Sequence, residues 1–271
     1  MKAPLLPPLN KNGFTLIEIA IVMVIIGLLA GGGVSIMGML TQRKARNETI
    51  DYLKETKEAL ISYVSINGKL PWADTDGDGS QNSNATSGTL PYLDLKVSPS
   101  DPYKRVLRYE INSNLGIDRP TTCNALKAGL SSGPRVVDGD GAASSFYIAA
   151  ILVSAGPMDL DSDGNVFDAV TSGSYQGDNT DGTPNYIRYP PIDTFDDLVV
   201  YIGGNELYGN VCEYLTLAVN NGIGEPTAYV RDANRGIDLG SIGGGGSALY
   251  EIISGTRIEI WSSTGGGGSI I

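Results

Sequence analysis

The chain has 271 residues, 41% of them apolar, with 30 acidic and 19 basic side chains and a formal net charge of −11. That is enough for one large or two small folded domains and argues against a disordered chain. The absence of histidine excludes imidazole acid–base catalysis, Ser-His-Asp or Cys-His nucleophiles and HExxH zinc sites. The acidic balance speaks against nucleic acid, whose phosphates call for Lys and Arg, and favours cations, calcium above all, or a basic protein surface.

Residues 1–13 carry Lys2 and Lys11 and three prolines, and form a short basic leader that cannot be helical for any length. Residues 14–40 are almost wholly apolar, and from Ile19 to Leu40 there is no charge. As a helix the uncharged stretch spans about 33 Å against about 30 Å of bilayer hydrocarbon, which makes it a membrane-spanning candidate. It is too long for the apolar region of an ordinary signal peptide, and no small-x-small cleavage site follows it. Glu18 lies inside the run. A carboxylate there needs a partner, or must reach the headgroups.

GFTLIE (residues 13–18), with a basic leader before it and an apolar helix after it, resembles the class III signal of type IV pilins and pseudopilins. The resemblance implies a peptidase cut between Gly13 and Phe14 and methylation of the new amine. It also implies that Glu18, four positions after the new terminus, meets the N-terminal amine of a neighbouring subunit during filament assembly. The physical chemistry agrees, because processing creates a cation next to a carboxylate that needs one. Many family members have a helix-kinking proline at the position of Ser35. This chain has Gly27, Gly31, Gly32 and Gly33 instead, each weakening a helix by about 1 kcal/mol. Arg43, Lys44 and Arg46 follow the run, where the positive-inside rule would place them in the cytoplasm. The processing signal, being more specific, places them outside.

The helix is expected to continue through residues 41–68. Ile50, Leu53, Leu60, Ile61 and Val64 recur at helical spacing, and Asn67-Gly68 with Pro71 marks the stop. From residue 69 to 271 the pattern is that of strands and long loops. Residues 105–111 alternate, residues 146–153 and 198–202 read as buried strands, and residues 248–253 and 257–261 read as a hairpin about Ser254-Gly255-Thr256. Glycine runs at 243–246 and 265–268 bracket that hairpin. NGKLP, SDPYKRVLRYE, SAGPMDLDSDGN and FDDLVVYI resemble, more loosely, segments of the major pseudopilin of type II secretion. The resemblance implies an α+β, pilin-like fold: a long N-terminal helix, transmembrane in its first half, packed on an antiparallel β-sheet head with long loops.

Asp74, Asp76 and Asp78 lie in DTDGDG, Asp138 and Asp140 in DGDG, and Asp159, Asp161 and Asp163 in DLDSDGN. Carboxylates at i, i+2 and i+4 ending in Gly match the first half of a calcium loop. The glutamate that closes an EF-hand is missing, since Ala85 and Val170 stand in its place. Asn165, Asp168, Asp178 and Asp181 offer further oxygens to the third loop, and the related pseudopilin binds calcium in its corresponding loop. Asp and Gly are equally the residues of solvated turns. The two cysteines, Cys123 and Cys212, would be free thiols in the cytosol. A head outside the cytoplasm implies one disulfide between them.

The resulting expectation is a structural subunit and not an enzyme. It is inserted in the bacterial inner membrane with a periplasmic head, processed by prepilin peptidase, and polymerised on an inner-membrane platform into a pilus or pseudopilus, with Ca2+ as its cofactor. The alternative is a membrane-anchored, calcium-dependent extracytoplasmic binding module that does not polymerise.

Overall fold

The computed structural model describes residues 15–138, 145–170, 177–179 and 185–262, with the side chains of these apart from residues 30–37, 138, 145 and 185. The leader, Gly13 and Phe14, Asp140, Asp181 and the 265–268 glycine run lie outside the described residues. Two compact units are present, Met1–Asn47 and Glu48–Ile271. Helix α1 (Leu16–Asn67) supplies residues to both.

In the first unit every residue from 15 to 29 is exposed, including Leu16 at 89% and Leu28 at 73%. A helix apolar on all sides needs cover from a bilayer or from other helices. Among the described residues no helix is long and apolar enough to cross a membrane. The side chains of 30–37, in the middle of the expected run, are not among them.

In the second unit α1 becomes amphipathic. Thr49, Leu53, Thr56, Leu60 and Val64 are fully buried, a single stripe at three- and four-residue steps. The helix stops at Asn67 because Gly68 takes a left-handed φ of +76°, and its N–H closes the last turn on the Val64 carbonyl.

The stripe faces a four-stranded antiparallel sheet. Its strands are β1 (Ser87–Thr89), β2 (Arg108–Ile111), β5 (Ala150–Ser154) and β9 (Leu198–Ile202), in the order β1-β2-β5-β9. Both faces of this sheet are covered. On β5, Ala150 and Leu152 join the cluster that holds Leu53 and Leu60, while Ile151 and Val153 join a second cluster with Val136, Ile148 and Tyr186. Burial on two sides explains why β5 reads as an unbroken apolar run.

The second cover is a smaller sheet of β3 (Arg135–Asp138), β4 (Ser145–Tyr147) and β8 (Asn185–Arg188), in which β3 and β8 run parallel. A two-stranded pair, β6 (Ala169–Val170) and β7 (Gly177–Asp178), lies in the long loop between. Glu110 of β2 ties the layers. Tyr186 donates to its carboxylate at 2.5 Å, and Arg108 Nε donates to the Tyr186 oxygen at 3.1 Å.

Three helices complete the middle of the chain: α2 (Tyr92–Leu95), α3 (Arg119–Ala128) and α4 (Gly204–Val211). In α3, Asp118 is the N-cap, accepting from Thr121 N–H at 2.8 Å, and Gly129 follows the last turn. A disulfide joins Cys123 of α3 to Cys212 after α4, with Cα atoms 5.4 Å apart.

The C-terminal strands are β10 (Tyr214–Asn220), β11 (Ala228–Asp232), β12 (Ile237–Ile242), β13 (Ser247–Ile253) and β14 (Ile258–Trp261). They form one pair, β10-β13, and one three-stranded sheet, β12-β11-β14.

Three strand expectations are corrected. Residues 146–153 are not one strand. Phe146 pairs with Val136, then Ala149 N–H donates to the Ile202 carbonyl, so the chain changes sheets at residues 148–149. Residues 248–253 and 257–261 do not form a hairpin. The turn is present, with Gly255 at φ +87°, but Ser254 N–H extends the β10 ladder to Glu213 while β14 pairs with β11. In residues 105–111 only Arg108–Ile111 is a strand, because Arg105 N–H is held in a tight turn by the Asp101 carboxylate.

Candidate functional site

At the start of α1, Thr15 N–H and Oγ1 both donate to Glu18 Oε2 at 2.8 Å, and Glu18 N–H donates to Thr15 Oγ1 at 3.4 Å. This reciprocal pair is a capping box. It answers orphan N–H groups at the helix start, where the macrodipole favours a carboxylate. The T-x-x-E signature of such a box stands in the sequence at residues 15–18. Glu18 therefore has a local partner at the end of the helix where processing would create an amine.

The two aspartate loops share one backbone scheme. In the first, Asp74 Oδ1 accepts from Gly77 N–H (2.7 Å) and Oδ2 from Gly79 N–H (2.9 Å). Asp76 accepts from Asp78 N–H, and Asp78 from Ser80 N–H. In the second, Asp159 Oδ1 accepts from Ser162 N–H (2.7 Å) and Oδ2 from Gly164 N–H (3.2 Å). Asp161 accepts from Asp163 N–H, and Asp163 from Asn165 N–H. The fourth and sixth positions of both loops are left-handed: Gly77 and Gly79 in one, Ser162 and Gly164 in the other. The first aspartate thus winds the loop around itself and turns the next carboxylates to one side, the arrangement that alternate Asp spacing produces in calcium loops. Burial works to raise the Asp74 carboxyl, but the N–H groups of Gly77, Gly79 and Asp76 outweigh it and hold it below its ordinary value.

Carboxylate oxygens of Asp74, Asp76 and Asp78 lie within 4.8 Å of one another, as do those of Asp159, Asp161 and Asp168. Asp163 is in the second loop but outside that group, its oxygen accepting from Asn165 N–H, and the Asn165 oxygen accepts from Phe167 N–H. Asp178 lies on β7, where it pairs with Ala169 beside Asp168, and Asp138 closes β3.

A further group was not singled out from sequence: Asp168, Asp196 and Asp197. Asp196 and Asp197 lead into β9, and the acidic pair before an apolar strand in FDDLVVYI is the signal that marks them. Asp168 Oδ2 accepts from Asp196 N–H at 2.7 Å, and Asp168 N–H donates to Asp197 Oδ2 at 3.2 Å. Asn179 Nδ2 also donates to Asp197 Oδ2, at 2.8 Å. Asp197 is 3% exposed, and its Oδ1 has no hydrogen-bond partner among the described residues. Burial pushes its carboxyl up to about 8, with the neighbouring carboxylates of Asp168 and Asp196 adding to the shift and the Asn179 bond opposing it. Asp168 is raised too, chiefly by burial. Gly156, at φ +62°, packs against Asp196, and a Cβ there would collide with its carboxylate. A buried carboxylate oxygen without a donor, next to two more carboxylates, is a place for a cation.

Residues 8–34 match the family model for the prokaryotic N-terminal methylation motif, the class III signal of type IV pilins and pseudopilins. No curated protein and no solved structure matches the chain. The motif, joined to a long N-terminal helix and a sheet-rich head, supports a type IV pilin-like or pseudopilin subunit.

Proposed function

We propose that this chain is a structural subunit of a type II secretion pseudopilus or a type IV pilus. Residues 14–40 insert in the inner membrane with the head in the periplasm. Prepilin peptidase cuts between Gly13 and Phe14 and methylates the Phe14 amine, and an inner-membrane platform polymerises the subunits through their N-terminal helices. The observation that carries this reading is the motif match at 8–34 leading into a helix whose residues 15–29 are all exposed. Such a surface is covered by lipid before assembly and by neighbouring subunits after it. Glu18, held at the helix start by Thr15, is the group that an incoming amine would meet.

The same reading gives the head calcium. Asp159, Asp161 and Asp168, with Asp163 and Asn165 in the same loop, supply one set of oxygens, and Asp196 and Asp197 extend it. Asp74, Asp76 and Asp78 supply another. Calcium takes six to eight oxygens. Its charge would stabilise the ionised form of Asp197 and lock the 159–168 loop onto the entry of β9.

The deciding experiment is the mass of the N-terminal peptide of protein taken from its native membrane. A peptide starting at Phe14 and carrying one methyl group is expected. A peptide starting at Met1 would overturn the reading in favour of an anchored, calcium-dependent binding module.

A further inference from the structure

Among the described residues, strands β10–β14 pair only with one another. They enclose buried residues of their own, Ala228, Val230 and Ile242. Contacts joining this module to the rest of the head converge on α3 and the end of α4. Asn234 Nδ2 donates to Asp118 Oδ2 at 3.2 Å, Lys127 Nζ lies 5.2 Å over the Tyr214 ring, and Tyr208 donates to the Tyr214 hydroxyl at 3.2 Å. The first is solvent-exposed and the last half-buried, so each is individually weak. Among the described residues, Ile253 is buried in the cluster that holds Cys123 and Val211, and the half-buried Tyr214 packs against it. The disulfide lies at the centre of this joint, with Cys123 on α3 and Cys212 two residues before β10.

We propose that the Cys123–Cys212 bond is a reducible latch that holds the C-terminal β-module, strands β10–β14, on α3. Cys123 is fully buried and Cys212 half-buried, so exchange begins at Cys212. The thiolate of a dithiol reductant bonds to the Cys212 sulfur, the S–S bond breaks, and Cys123 leaves as a thiolate that takes a proton. The reductant's second thiol then displaces Cys212, leaving two protein thiols and an oxidised dithiol. What remains at the joint is the set of contacts above, the Ile253 packing and the Arg119–Val211 hydrogen bond, and the module loosens on α3 with its own sheets intact.

The test is hydrogen exchange on the full chain before and after dithiothreitol, and again after reoxidation with diamide. Reduction is expected to speed exchange at α3 and at residues 213–216 by about tenfold or more, reversibly, while β2, β5 and β11 keep their protection. The double variant Cys123→Ser, Cys212→Ser should give the same pattern without reductant. Unchanged exchange at α3 overturns the proposal. So does a loss of protection that reaches β11, or β2 and β5, because the bond would then staple the module's own fold or the whole head.

Discussion

Arg119 of α3 reaches the last turn of α1, where its Nη2 donates to the Ser65 carbonyl at 3.1 Å. Its Nη1 donates to the Val211 carbonyl, also at 3.1 Å, so one guanidinium closes the ends of both α1 and α4. Helix C-termini leave carbonyls without partners and favour a cation. The approach is close enough that a Cβ on Gly68 would run into the Arg119 side chain. Arg119→Ala should therefore cost about 2 kcal/mol, from lost charge-assisted bonds. Gly68→Ala should cost at least as much, from left-handed strain plus the collision. Urea denaturation of the two variants checks both. A Gly68→Ala variant as stable as the parent would refute the geometry.

Thr15 and Glu18 separate helix capping from assembly. Thr15→Ala removes the cap and should cost about 1 kcal/mol at the helix start while filaments still form. Glu18→Ala should abolish filaments seen by electron microscopy. If both variants assemble, the role of Glu18 is the capping box alone.

Asp197 makes head stability fall with rising pH. Its folded carboxyl titrates at about 8, above the ordinary 3.8, so folding favours the protonated form. The stabilisation is fully present below pH 4 and is lost as pH rises to 8. Glu110, raised by burial, adds to the same slope. The melting temperature in EGTA should drop across this window, and Asp197→Asn should remove most of the drop. Calcium should flatten the curve for the parent protein, because a bound cation replaces the proton. A parent curve that is flat in EGTA would contradict the environment described for Asp197.

The two aspartate loops should bind separately. In calorimetric titration with calcium, Asp159→Ala and Asp74→Ala should each remove one class of site and leave the other, each lowering the affinity of its own site by about tenfold or more. Either variant abolishing all binding would mean a single shared site.

Gly156→Ala should destabilise the entry to β9 by about 2 kcal/mol, because its φ of +62° disfavours a side chain and the Asp196 carboxylate occupies the space. The same substitution should weaken calcium binding to the 159–168 loop. Unchanged stability and affinity would show that Asp196 can move aside.

Helix α1 was legible because its period persists for dozens of residues and its end carries Asn67-Gly68. The short β9 was legible as an apolar run with punctuation on both sides. Helix α3 escaped notice although Asp118, Pro120 and Gly129 mark its ends, because its apolar stripe is only Cys123 and Leu126 with little else. The β10–β13 pairing was hidden for a different reason. Residues such as Leu215 and Leu249 stay exposed, so apolar alternation there does not report a core. Asp196 and Asp197 join Asp168 across 28 residues of chain, a proximity created by β5–β9 pairing that no local pattern encodes.

The parallel pairing of β3 with β8 sets an order of events. Arg135 meets Asn185, fifty positions along, and β5 must first leave the outer layer to lie between β2 and β9. Parallel closure over such a span is slow, because its loop entropy is spent before contacts reward it. A head emerging N-terminus first therefore settles β1, β2 and β5 against α1 early. The parallel β3–β8 pair closes later, over a β5 already in place.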